Sequence, residues 1–175
     1  MTQSGMVKRL TARMFGQLVL VFAVVITIGC DRVTKHVATT TLAGTPDRSY
    51  LGDTVRVVYA ENTGGFLSIG ADLPAPARTA LFTFATGLAL IALGVLVTRN
   101  HWSGVAALGV SLFVAGGASN WFDRLAHGSV VDFLNVGIGP LRTGIFNVAD
   151  IAITVGVALF ALAEFRPRRG SATQT

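Results

Sequence analysis

The feature that most constrains this chain is a set of four long apolar runs, Met14–Cys30, Ala80–Val97, Val105–Phe122 and Val148–Phe165. Each holds roughly 17–18 residues, the short end of what a helix needs to cross a ~30 Å hydrocarbon core. Hydrophobic residues make up 51% of the chain and charged residues only 13%, a balance typical of membrane proteins. The runs predict an all-α membrane protein with four transmembrane helices in one integral membrane domain, residues 1–175.

The one sizeable polar segment, residues 39–76, separates the first two runs. Its stretch Val55–Ala60 is rich in strand-forming residues, and glycines follow it. We therefore expect a small β-rich subdomain on the outer side of the membrane, between helices 1 and 2. A second, shorter segment, Val130–Leu134, lies between the third and fourth runs. It is too short for a domain and is predicted to form a half-buried cap over the bilayer surface.

The placement of basic residues bears on orientation. Basic residues crowd both ends of the chain, beside the first and last runs: Lys8, Arg9, Arg13, Arg166, Arg168 and Arg169. Such clusters mark cytoplasmic ends, and an even number of spans returns both termini to one side. The bare count does not decide, because seven Lys and Arg residues fall on each side. We predict cytoplasmic termini and a cytoplasmic turn at Arg99–His101.

Three aspartates, Asp123, Asp132 and Asp150, lie in or beside the link between the third and fourth runs. Consecutive spans joined by one link place that link at a single membrane face. Ionisable groups at membrane depth are costly, and function is the default hypothesis for them. Two carboxylates held together can share one proton, which is how such a pair activates water.

Other polar residues gather on the same predicted side. Asp31 and Lys35 leave the first run four residues apart, a spacing that supports pairing on a helix. The remaining members of this group are Asn62, Gly64, Asn120, Arg124 and Asn147. The +5 formal charge does not indicate nucleic acid, since the chain has no aromatic and basic platform of the kind that binds it.

Several of these residues also have a purely structural interpretation. Asp150 can complement a helix dipole, and the asparagines can satisfy backbone groups at helix ends. An interfacial ion pair between Asp123 and Arg124 is the simpler role for Asp123. Asp132 is harder to explain this way, because an acid within a small apolar run must face a partner or a wet pocket. The three histidines are scattered without ligand spacing, so no metal site is expected.

Five segments, in order along most of the chain, carry these polar residues: Asp31–Lys35, Glu61–Gly64, Gly116–Arg124, Gly128–Phe133 and Phe146–Asp150. They resemble the characteristic motifs of the lipoprotein signal peptidases (signal peptidase II), in the same order. The resemblance implies a four-span aspartyl endopeptidase. Such an enzyme removes signal peptides from diacylglyceryl-modified prolipoproteins by cleavage before the lipidated cysteine.

The resemblance also implies roles for individual residues. Asp132 and Asp150 would be the catalytic pair. The residues expected to bind or shape the substrate are Asp31, Lys35, Asn62, Gly64, Asn120, Asp123, Arg124 and Asn147. No metal or cofactor is implied, and the partners would be prolipoproteins and membrane lipids. We expect a monomer in the bacterial cytoplasmic (inner) membrane, with the active site at the outer face.

Two positions depart from the family pattern. Ser119 stands where a glycine is usual, and Gly65–Leu67 stands where two small residues and then an aromatic are usual. Cys30, at the end of the first run, is predicted to pack as a small apolar residue of an uncleaved span. One alternative function stays open: a small transporter or proton channel in which the acids form a relay.

Overall fold

A computed structural model describes residues 3–99 and 104–165 of the chain. Its helices are α1 (Gln3–Leu42), α2 (Ala75–Arg78), α3 (Thr86–Arg99), α4 (Gly104–His127) and α5 (Val148–Glu164). A π-helical stretch, Thr79–Ala85, joins α2 to α3 as one continuous helical segment. The strands are β1 (Arg48–Tyr50), β2 (Val55–Asn62), β3 (Val130–Ile138) and β4 (Leu141–Arg142), and a short 3-10 turn covers Phe66–Ser68.

Within the described residues, three helical segments are long and apolar enough to cross a membrane: Gly16–Leu42, Ala75–Leu96 and Gly104–His127. Many large apolar side chains on these segments face outward, among them Leu18, Phe22, Leu88 and Ile91. Outward apolar faces are what a lipid environment favours. The fourth predicted span corresponds to α5, which has 17 residues.

Helix α1 continues well beyond the apolar run from which it was predicted. Residues 39–42 were assigned to the polar segment, but they are helical. The hydroxyls of Thr39, Thr40 and Thr41 each donate to the carbonyl four residues earlier, at 2.7–2.9 Å. These bonds satisfy the side chains without leaving the helix. The helix therefore carries Asp31 and Lys35 in its interior and not at its end.

The sheet differs from the prediction in its origin. All four strands pair antiparallel in the order β1-β2-β3-β4, so half of them come from the link between α4 and α5. The prediction of a subdomain built only between helices 1 and 2 was wrong in this respect, and Val130–Leu134 is part of a strand and not a cap. The mixed polarity of β3 hid its strand character, because one of its faces packs on α1 while the other faces the polar site.

The sheet packs on the end of α1 through a small apolar core. Ala38 and Leu42 of α1 and Phe133 of β3 are buried together, and Val57 and Val148 pack against them. Burial of such side chains contributes roughly 25 cal/mol per Å² of apolar surface. This core fixes the start of β3 and the start of α5 beside the polar part of α1.

Close contact between α4 and α5 depends on glycines. A Cβ on Gly116 would collide with the carbonyl of Ala149, and one on Gly156 would lie 2.6 Å from the carbonyl of Gly109. Only glycine permits so close an approach of two helix backbones. The contact at Gly116 brings α4 directly against the first turn of α5, which carries Asp150.

Cys30 was predicted to pack in the interior, and the structure corrects this: Cys30 is exposed on the outer face of α1. The adjacent Asp31 is buried instead. Successive residues of a helix point about 100° apart, so Cys30 can be exposed while Asp31 is buried.

Candidate active site

The two predicted catalytic residues come from different elements that meet beside α1. Asp132 lies on β3, where it pairs in register with Ala60 of β2. Asp150 is the third residue of α5. Both carboxylates are buried, although neither is in an apolar setting, because amide groups surround each of them.

Asn147 links the two carboxylates. It precedes α5 as the N-cap residue, and it forms a reciprocal capping box with Asp150. Its backbone N–H donates to Asp150 Oδ2 at 3.1 Å, and its side-chain oxygen accepts from the Asp150 N–H at 3.0 Å. Its side-chain nitrogen donates to Asp132 Oδ1 at 2.6 Å. One residue therefore sets the position of both acids.

Asn120 of α4 is the second link. Its side-chain nitrogen donates to Asp150 Oδ1 at 2.9 Å, and its oxygen accepts from Lys35 Nζ at 2.7 Å and from Asn147 at 3.2 Å. An ammonium group has donors and no acceptor. Lys35 therefore forces the oxygen of Asn120 towards itself and leaves the amide nitrogen facing Asp150.

Asp132 receives a second amide from the strand next to it. Asn62 Nδ2 donates to Asp132 Oδ2 at 2.9 Å, between diagonal neighbours of the β2–β3 ladder. Burial raises the pKa of the Asp132 carboxyl to about 6. The charge of Asp150 adds to this rise in pKa, while hydrogen bonds from Asn62 and Asn147 and the charge of Lys35 oppose it. The pair is thus set to hold a proton well above the ordinary range of a carboxyl group.

A second buried cluster lies between α1, α4 and the start of α5. Lys35 Nζ donates at 2.7 Å to each of three acceptors: Asp31 Oδ2, Asp123 Oδ2 and Asn120 Oδ1. Asp31 is fully buried, at 0% exposure, and its Oδ1 accepts from the backbone N–H of Ala149 at 2.9 Å. Every donor of the Lys35 ammonium is therefore used inside the protein.

The predicted pair between Asp123 and Arg124 is not what the structure shows. Asp123 forms ion pairs with Lys35 and with Arg32, at 2.7 and 2.6 Å. Neighbouring residues on a helix point in different directions, so Asp123 faces α1 while Arg124 faces the sheet. The structural role expected of Asp123 fits, but its partners are on another helix.

Arg124 reaches the loop that follows β2. Its Nη2 donates to the carbonyl of Gly64 at 2.6 Å, and its Nη1 donates to the carbonyl of Asn120 at 3.2 Å. Its Nε is buried without a hydrogen-bond partner in the described part of the chain. Gly64 itself is tightly enclosed, since a Cβ there would lie 2.6 Å from the carbonyl of Ile69. Arg124 thus carries one donor without a partner among the described residues, and its charge interacts with those of Asp150 and Asp132.

All ten predicted site residues lie in one connected region, but in two groups. The group around the carboxylate pair contains Asn62, Gly64, Asn120, Arg124, Asp132, Asn147 and Asp150. The group beneath it contains Asp31, Lys35 and Asp123. Asn120 belongs to both, because it bonds Lys35 and Asp150.

Sequence reasoning missed Arg32 and gave Ser119 no polar role. Both join the cluster of Asp31 and Asp123. Arg32 left no local signal in the sequence, because its partners Ser119 and Asp123 lie on another helix. In the ranges 3–99 and 104–165, no three His, Cys, Asp or Glu side chains are grouped to hold a metal ion. The expectation of a metal-free site stays a prediction.

Comparison with known proteins gives the family. The family model described as Signal peptidase (SPase) II matches residues 23–166, which include every residue of the site. The chain belongs to the signal peptidase II family. A lipoprotein signal peptidase of Solibacter usitatus is 31% identical over 159 residues, covering 90% of this chain and 93% of the relative. The lipoprotein signal peptidase of Escherichia coli is 34% identical over 125 residues, covering 68% and 76%.

The fold agrees with that of two solved bacterial membrane enzymes. A bacterial membrane enzyme whose structure was determined by the in meso method at 2.3 Å matches with a TM-score of 0.77 and 25% identity, covering 90% of this chain and 93% of the other. A second, at 1.9 Å, matches with a TM-score of 0.72 and 25% identity, covering 86% and 94%. With its long apolar helices, this member of the family is a multi-pass membrane protein.

Proposed function

We propose that this chain is an aspartyl endopeptidase that removes signal peptides from diacylglyceryl-modified prolipoproteins, cutting before the lipidated cysteine. The observation that carries the proposal is the linkage of two buried carboxylates, Asp132 and Asp150, through the single residue Asn147. Their setting suits one shared proton, which is the state that a water-activating pair needs. The relatives named lipoprotein signal peptidase supply the substrate class.

The proposed chemistry uses water and the two acids. The ionised carboxylate takes a proton from a water molecule, whose oxygen attacks the carbonyl carbon of the scissile peptide bond. The protonated carboxyl donates a hydrogen bond, and then its proton, to the carbonyl oxygen. As the tetrahedral intermediate collapses, the carbon–nitrogen bond breaks and the departing amine takes the proton that the first acid drew from water. A hydroxyl of the intermediate returns its proton to the second carboxylate, which leaves a carboxylic acid product. The acids return to sharing one proton.

The other residues of the site have two kinds of role in this proposal. Arg124 binds a carbonyl of the substrate backbone through Nε, which has no partner within residues 3–99 and 104–165. Asn62 and Gly64 form the adjacent wall of the substrate groove. Asn120 and Asn147 orient the acids. Asp31, Lys35 and Asp123 were predicted to touch the substrate, and their enclosed hydrogen bonds favour a positioning role instead.

We extend the proposal to the membrane arrangement. The chain forms one integral membrane domain, and α5 is its fourth span, although its 17 residues reach only about 25 Å at 1.5 Å per residue. Four spans put both termini on one side, and the basic clusters at both ends favour the cytoplasm for that side. The acids then lie at the outer face of the bacterial inner membrane. There the enzyme works as a monomer among lipids and meets a substrate that is itself anchored by its signal helix and acyl chains.

The test is cleavage by the purified full-length protein in detergent. The substrate is a synthetic prolipoprotein peptide with a diacylglyceryl-modified cysteine, and the matched control is the same peptide without the lipid. We expect mass spectrometry to show a product that begins at the lipidated cysteine, and none from the control peptide. Proton flux in liposomes without any cleavage would contradict the proposal and favour the transporter.

A further inference from the structure

Arg32 of α1 makes a forked contact with α4. Its Nη1 donates to Asp123 Oδ1 at 2.6 Å, and its Nη2 donates to the Ser119 carbonyl at 2.7 Å. Its Nη2 and Nε also approach Ser119 Oγ, at 3.2 and 3.4 Å. The guanidinium lies over the ring of Phe122, 4.9 Å from its centre. The side chain is 34% exposed, so it closes the buried cluster from outside.

Arg32 also balances the charge of that cluster. Inside it, the carboxylates of Asp31 and Asp123 face one buried cation, Lys35. Arg32 supplies a second cation, which makes the group neutral. An uncompensated charge in a buried network is strongly destabilising. Arg32 therefore stabilises the cluster by its charge as well as by its hydrogen bonds.

Ser119 connects Arg32 to Asp31. Its Oγ donates to Asp31 Oδ2 at 2.7 Å. A serine hydroxyl has one proton, whereas a guanidinium can only donate. The Asp31 carboxylate can only accept, so the single proton of Ser119 points to it. Arg32 donates to the acceptor side of the same hydroxyl and so helps to hold the hydroxyl in the orientation that Asp31 requires.

Asp31 in turn holds the start of α5. Its second oxygen, Oδ1, accepts from the Ala149 N–H at 2.9 Å. Ala149 is the second residue of the helix, where a backbone N–H has no partner within the helix. Asp31 supplies that partner from another helix. The next residue along the chain is Asp150.

We propose that Arg32 and Ser119 are positioning residues for the carboxylate pair, acting through Asp31 on the first turn of α5. The proposal rests on the proposed function. It assigns a purpose to Ser119, one of the two positions at which this chain departs from the family pattern. Neither residue touches the substrate, and both act by keeping Asp31 oriented towards Ala149.

The test combines kinetics with the exchange of one amide proton. Ser119→Ala removes the hydroxyl, and Arg32→Lys keeps the charge but loses the planar fork with which the guanidinium contacts Asp123 and Ser119. Each should lower kcat about tenfold through misplacement of Asp150 and leave KM within about twofold. Because both act through one hydroxyl, the double variant should be no slower than the slower single variant. Ser111→Ala, on α4 but outside the cluster, and Arg48→Lys, on the sheet, are the matched controls.

Ala149 gives a readout that does not depend on activity. Its amide has Asp31 as partner, so hydrogen exchange measured by NMR in detergent reports on that bond. Exchange should accelerate about tenfold in both single variants, as expected for weakening of one charged hydrogen bond, and stay unchanged in the controls. Unaltered Ala149 exchange, or unaltered kcat with only a lower melting temperature, would overturn the proposal. A wild-type protein that fails to cleave would overturn the proposed function instead, and Ala149 exchange would still decide whether the two residues hold α5.

Discussion

Asn147 donates a hydrogen bond of 2.6 Å to Asp132 across the gap between α5 and β3. Because Asn147 also caps the helix that carries Asp150, the start of that helix and the spacing of the acids are set by the same side chain. The carboxylates are therefore positioned by secondary structure and not by a flexible loop. A water-activating pair requires such fixed geometry.

Lys35 should matter for folding more than for substrate binding. Lys35→Met leaves Asp31 and Asp123 buried without their shared cation, and loss of one partner of a buried ion cluster costs about 3–5 kcal/mol of unfolding free energy. We expect a clearly lower melting temperature in detergent. Arg56→Met, which breaks the exposed pair with Asp53, is the control and should change the melting temperature far less. Equal melting temperatures for wild type and Lys35→Met would contradict the positioning role.

Much of this site follows from the sequence, and the reasons for the rest are physical. The apolar runs and the acids of the last link predicted the helices and the carboxylates, because burial and charge leave a clear pattern in the chain. The pairing of β2 with β3 did not follow, since strands far apart in sequence show no local sign of their partner. Arg32 was missed for a similar reason: its partners, Ser119 and Asp123, lie on another helix.

Asn62 should shift the pH dependence of cleavage. Its hydrogen bond stabilises the charged form of Asp132 and so lowers a pKa that burial has raised to about 6. In Asn62→Ala the pKa of Asp132, which the charges of Asp150 and Lys35 also affect, should rise further. The carboxylate pair should then keep its shared proton to higher pH. The alkaline decline of kcat should therefore begin at a higher pH than in the wild type. A decline that moves to lower pH would mean that this hydrogen bond does not act on the charged carboxylate.

Arg124 should act on substrate capture. If its Nε binds a backbone carbonyl of the substrate, Arg124→Ala should lose about 1.5–3 kcal/mol of binding free energy, the range for a hydrogen bond to a charged group. KM for the lipidated peptide should rise while kcat changes less. Arg78→Ala removes another arginine of the same outer region, one that contacts the carbonyls of Ala71 and Leu73, and is the comparison. If Arg124→Ala only unfolds the protein, its bond to Gly64 is structural and the binding role is wrong.

Reporter fusions test the four-span arrangement. Fusions at Asn100 and Thr175, which lie outside the described residues, should report the cytoplasm. Fusions at Asp47 and Gly137, on the sheet side, should report export. Gly137 precedes α5 and Thr175 follows it. If both were exported, this 17-residue helix would not cross the membrane.

Replacement of either Asp132 or Asp150 should abolish catalysis and leave substrate binding intact. Asp132→Asn and Asp150→Asn keep the side-chain volume but cannot exchange a proton, so each should lose at least about 10²–10⁴-fold in kcat. The lipidated peptide should still bind. Since the two acids work as one unit, the double variant should be hardly slower than either single variant.

Asp123→Asn is the control that distinguishes a specific role of Asp132 and Asp150 from the effect of removing any buried carboxylate. Asp123 pairs with Arg32 and Lys35, so its replacement should lower the melting temperature and reduce activity less completely in the purified protein. Near-normal turnover by Asp132→Asn, with none by a folded Asp123→Asn, would make Asp123 and Asp150 the pair. That result would require Asp123 to turn away from both of its cations, and the structure holds it between them at 2.6 and 2.7 Å.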